Sequence, residues 1–146
     1  MMMRSLIARL PSFVAALWWG SLGTIGFLVV PLLFRNLPSP AMAGGMAARL
    51  FTAQAWVSLG CAMLLLMFSR SVRMPEAGAR VRTALPFVLP GLLLALLGEF
   101  GVAPRIVARD NLPLWHAVGS GMYLFQWACA AVVLWRVLPQ TGPRPN

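Results

Sequence analysis

The chain has 146 residues, 60% of them hydrophobic and only 10% charged, where an average globular domain carries about 25% charged residues. A soluble domain of this size cannot hide so much apolar surface, so lipid is the expected solvent, with room for one membrane domain over residues 1–146. The net charge is +9, and all twelve basic residues are Arg; they sit at the ends of apolar runs, a pattern of membrane flanks and headgroup contacts, and no motif for nucleic acid accompanies them.

The first apolar run, Pro11 to Phe34, is uncharged from end to end and exceeds the about 20 residues that a spanning helix needs. Arg4 and Arg9 precede it like the basic start of a signal peptide, but the run is too long for one, so an uncleaved first span is expected. The Pro- and Gly-rich link RNLPSPAMAGG breaks the helix. A second run, about Ala43 to Ser69, is interrupted only by Arg49 and Gln54 among strongly polar residues. Arg70 to Arg82 is the one long hydrophilic connection. The third run, about Thr83 to Val107, starts with Pro86 and Pro90, contains Glu99 and ends near Pro104 and Arg105. After a short link bearing Arg109, Asp110 and Asn111, the fourth run covers Leu114 to Leu138, and residues 139–146 form a polar, Pro-rich tail expected to be disordered. No internal repeat stands out.

The expected fold is therefore an all-α membrane protein, a bundle of four transmembrane helices with spans of about 11–34, 43–69, 83–107 and 114–138. Arg4, Arg9, Arg70, Arg73, Arg80, Arg82, Arg136 and Arg144 flank one side, against Arg35, Arg105 and Arg109 on the other. The positive-inside rule then puts both termini in the cytoplasm. Small residues such as Gly20, Gly23, Gly26, Ala43, Ala47, Ala117 and Gly121 allow close helix approach, either inside the bundle or across a homo-oligomer face. Cys61 and Cys129 lie in different runs without a CxxC pattern and read as small buried hydrophobes. Trp18 and Trp19 lie too deep for an interfacial belt and read as packing against Gly-rich seams.

Charged groups in hydrocarbon are costly and point to function. At 1.5 Å per residue Arg49 lies about 9 Å, and Glu99 about 12 Å, below the same membrane face, so the two are expected to pair. His116, Ser120 and Tyr123 share a helix face in the fourth run. With Gln54 and Arg105 they would complete a polar cluster in the outer half, a candidate site for an ion or other ligand. Glu99 is the residue hardest to explain by packing alone. His116 and Glu99 are the candidate metal ligands, and the i, i+4 pairs Met42/Met46 and Met63/Met67 admit a soft metal. No nucleotide-binding, hydrolase, metalloprotease or haem-attachment motif is present, so neither an enzyme nor a bound cofactor is expected.

The segments WWGSLGTIGFLVVPLLF (Trp18 to Phe34), AGGMAARLF (Ala43 to Phe51), GEFGVAPRI (Gly98 to Ile106) and WHAVGSGMYLFQ (Trp115 to Gln126) resemble the bacterial DUF4149 proteins, a group similar to TMEM-205-type membrane proteins. The resemblance implies a four-helix integral protein of the bacterial cytoplasmic (inner) membrane, with Glu99, Pro104, Arg105, His116 and Tyr123 as its family-like polar positions. Animal relatives are linked with platinum-drug resistance, which hints at metals or small solutes. Three readings stay open: a transport or permeability factor for a small solute, ion or proton; a metal- or haem-handling membrane protein; and a non-catalytic accessory subunit or scaffold of a membrane complex.

Overall fold

In a computed structural model, which describes residues 2–72 and 74–139 with side chains from Ile7 onward, the chain is entirely helical among the described residues. The helices are α1 (Met2–Gly23), α2 (Val30–Asn36), α3 (Pro40–Ser69), α4 (Pro75–Leu97), α5 (Ala103–Val107) and α6 (Leu112–Val137). A π-helical turn, Thr24–Val29, joins α1 to α2, and another, Gly98–Val102, joins α4 to α5. Four continuous helical stretches are long and apolar enough to cross a membrane: Ile7–Asn36, Pro40–Ser69, Pro75–Val107 and Leu112–Val137. The third begins well ahead of Thr83 and takes Arg80 and Arg82 into the helix. The tail beyond Pro139 lies outside the described residues.

The helix starts follow from local chemistry. Ser39 caps α3, its hydroxyl accepting from the Met42 N–H, and Pro40 supplies a preset first turn. Pro75 opens α4 in the same way. The link before α6 turns through left-handed backbone at Arg109 (φ 57°) and Asn111 (φ 39°). Asn tolerates this geometry; Arg109 carries a modest cost there.

Inside the bundle, Ala15, Trp18 and Leu22 from α1 meet Cys61, Ala62 and Leu65 from α3, Val81, Ala84 and Val88 from α4, and Ala130, Val133 and Val137 from α6. Both cysteines are buried and free. Trp18 fits because Gly91 has no side chain: a Cβ there would stand 2.9 Å from the indole Cη2. The outer surface is as apolar as the core, with Trp56 at 59% and Trp135 at 73% exposure. A surface of that kind is stable only against hydrocarbon, which makes the chain a multi-pass membrane protein.

The end that carries the start of α1 and the finish of α6 is laced by arginines. Arg82 donates to the Ser69 carbonyl at 2.9 Å, Arg136 to that of Thr83 at 2.7 Å, and Arg80 to that of Val137 at 3.3 Å, where Ser12 also donates. Two of these acceptors, Ser69 and Val137, are last-turn carbonyls with no partner in their own helix.

Each π turn ends two residues ahead of a proline, Pro31 or Pro104. Proline lacks an N–H and its ring crowds the carbonyl four residues back. The wider turn relieves that conflict: Val30 N–H reaches Ile25 and Ala103 N–H reaches Gly98. In the first turn Tyr123 of α6 plugs the gap. Its hydroxyl donates to the Leu22 carbonyl at 2.8 Å, and a Cβ on Gly26 would stand 2.5 Å from its ring. Gly26→Ala is therefore expected to destabilise the bundle by about 1–3 kcal/mol, read as a lowered midpoint of thermal unfolding in detergent, with part of the loss recovered when Tyr123→Ala is added.

Candidate functional site

Glu99 is carried on the second π turn, between α4 and α5, which Pro104 imposes. The turn directs the carboxylate to α3, where the Thr52 hydroxyl donates to Oε1 at 2.9 Å. No second hydrogen bond to this carboxylate is formed among the described residues. Beside it lies a crevice of about 10 Å³ lined by Ala55, Trp56, Leu59, Leu96, Glu99 and Phe100, roughly the space one water requires. Trp56 and Phe100 on its rim are exposed, so the crevice opens on the flank of the bundle.

The residues expected to form one cluster are distributed over several places. No ion pair joins Arg49 to Glu99 among the described residues. Arg49 is exposed on α3, one turn from Thr52, and the short hydroxyl takes the carboxylate while the long cation is free to extend toward the headgroups. Arg105 turns back on its own helix, donating to the Gly101 carbonyl at 2.6 Å with its guanidinium 4.5 Å above the Trp115 ring. Tyr123 is committed to the first π turn. His116 and Ser120 are exposed on α6, away from the α3 contact that holds Glu99. Met42, Met46, Met63 and Met67 are all exposed along α3.

Gln54 lies at the centre of a second polar locus that sequence reading did not assemble. It is 2% exposed. Its Nε2 donates to Ser21 Oγ at 3.0 Å and to Ser58 Oγ at 3.4 Å, while Gln126 Nε2 donates to the same Ser58 oxygen at 3.0 Å. Ser21 Oγ in turn donates to the Trp18 carbonyl at 3.1 Å. The Gln54 Oε1 atom and the indole N–H groups of Trp18, Trp19 and Trp127 have no partner among the described residues. Trp127 stacks on Trp19 at 5.9 Å and takes Phe27 edge-on at 5.2 Å. The available signal was a mid-span amide in each of two runs, with Ser58 four residues after Gln54. Thr52, the partner of Glu99, gave none, because a hydroxyl barely disturbs hydropathy.

A family model described as Domain of unknown function (DUF4149) matches residues 13–111. No curated protein and no solved structure matches the chain.

Thr52→Val should lower stability by about 1 kcal/mol, since it strips a half-buried carboxyl of its donor. Arg49→Ala, at an exposed position, should change it by less than about 0.5 kcal/mol. Reversible unfolding in mixed micelles compares the two, and a larger loss for Arg49→Ala would restore the ion pair.

Proposed function

The chain belongs to the DUF4149 family, whose description assigns no activity, and from the geometry we propose that it is a small, non-enzymatic permeability or transport factor that passes protons or small cations at Glu99. The observation that carries this reading is one carboxyl, within the apolar third span, held by a single hydroxyl beside a crevice open on the bundle flank. An acid costs roughly 2.5–3.5 kcal/mol at the centre of a span on insertion scales and less toward its end, where Glu99 lies, whereas the Thr52 bond returns about 1 kcal/mol. A purely structural role is the poorer account of such a residue. The partner also suits exchange. A hydroxyl donates to the ionised carboxylate and, after rotation, accepts from the protonated acid, so one pair serves both states without repacking.

The orientation belongs to the same proposal. The end bearing Arg9, Arg70, Arg80, Arg82 and Arg136 faces the cytoplasm of a bacterial cell, and the π turns with Glu99 lie toward the outer face of its inner membrane. The metal-handling reading gains no support from the geometry, since Glu99 bonds to α3 while His116 is exposed on α6.

Purified protein in liposomes loaded with a pH-sensitive dye, under an imposed potassium diffusion potential, should acidify or alkalinise the lumen faster than empty liposomes. Glu99→Gln should abolish the difference while the protein keeps its helical content and elution volume. Equal flux for Glu99→Gln and wild type, or a wild type as tight as empty liposomes, overturns the proposal; the second result would favour an accessory role.

A further inference from the structure

The two halves of the chain carry one pattern. Phe27-Leu28-Val29-Val30-Pro31 and Phe100-Gly101-Val102-Ala103-Pro104 share Phe-x-Val-x-Pro, and in each the π turn ends at the Val. Aligning Pro31 with Pro104 places Pro11, Ala15, Trp18 and Leu22, the buried stripe of α1, on Ala84, Val88, Gly91 and Ala95, all buried in α4. Aligning Gln54 with Gln126 places Ser58, Cys61 and Leu65 on Ala130, Val133 and Val137, again buried on both sides. Phe51 then falls on Tyr123.

Equivalent residues touch each other only where a twofold axis passes between them. Two such contacts occur here, and a third equivalent pair shares one partner. Trp18 packs on Gly91, Phe51 meets Tyr123 edge-on at 5.2 Å, and Gln54 and Gln126 donate to one Ser58 oxygen. They follow one another along the bundle, so the axis runs along the helices and hence along the membrane normal. Repeats of this parallel kind bring their shared groups to the middle of the membrane, and Ser21 and Gln54 each lie at the midpoint of their spans, Ile7–Asn36 and Pro40–Ser69.

We propose that the chain is two copies of one helical hairpin around a quasi-twofold axis, and that the amide–hydroxyl layer on that axis binds one water-sized neutral molecule that both donates and accepts a hydrogen bond. The polarity of the layer follows from Ser21. Its proton is committed to the Trp18 carbonyl, so the Gln54 atom facing it must be the donor, Nε2, and Oε1 is left, among the described residues, without a partner at a buried position. Ser58 accepts from two amides, and its own proton is used by no group among the described residues. The layer thus presents one acceptor, Gln54 Oε1, and one donor, the Ser58 hydroxyl. A neutral molecule answers both, whereas an ion would have no countercharge there. The site shares no residue with Glu99 and stands whether or not Glu99 exchanges protons.

Water is the probe. The chain holds only Gln54, Gln126 and Gln140 as glutamines, so protein labelled with ¹⁵N-glutamine in nanodiscs gives few side-chain amide signals. Gln54→Met and Gln126→Met assign them, and if one variant does not fold the other assigns by elimination. Magnetisation transfer from water is expected at the Gln54 and Gln126 amides. It should disappear in Ser58→Ala and return when Ala130→Ser supplies the hydroxyl at the equivalent position. Dry amides in the wild type overturn the site, and failure of Ala130→Ser to restore the transfer overturns the axis.

Discussion

In hydrocarbon there is no water to receive an unpaired N–H or C=O, so each interruption of a helix ladder must be answered by protein. This constraint accounts for most of what is unusual in the bundle. Pro31 and Pro104 each remove a donor, and the preceding turn widens in response. Beside the first widened turn the Tyr123 hydroxyl donates to the Leu22 carbonyl. Near the second, the Arg105 side chain folds back on the Gly101 carbonyl. At the opposite end Arg80 and Arg82 serve the same requirement by donating to last-turn carbonyls, while Arg136 donates to the Thr83 carbonyl inside α4.

The second consequence concerns how the bundle chooses its interior. Lipid is as apolar as Leu, so burying apolar surface does not distinguish inside from outside. The distinction here comes from fit and from polar groups. Trp18 seats against Gly91, Tyr123 against Gly26, and Gly119 admits Val102. The amide layer of Gln54, Ser58 and Gln126 fixes the register of α3 against α6, because any rotation would leave those groups in hydrocarbon.

Hydropathy made the four spans legible, since it needs only length and composition. Glu99 was legible as a residue out of place. Its partner was not. Depth along a helix can be counted from the sequence, but rotation and side-chain reach cannot, and Thr52 rather than Arg49 holds the carboxyl. The same limit dispersed His116, Ser120 and Arg105, which share a level with Glu99 without sharing its contacts. The repeated Phe-x-Val-x-Pro has little identity around it and takes its meaning from the superposed buried stripes of α1 and α4. The start of α4 at Pro75 is masked in the sequence by Arg80 and Arg82, which resemble a loop, whereas in the helix they reach carbonyls at its edge.

Glu99 and Gly26 occupy equivalent places in the two hairpins. The ring of Tyr123 fills the space beside Gly26, so no carboxyl can be accommodated there, while on the other side Glu99 turns to Thr52. The duplicated frame is thus restricted to a single acid. A second carboxyl at position 26 would therefore need the Tyr123 ring removed first, so the asymmetry of the two hairpins is held by an aromatic side chain on a different helix.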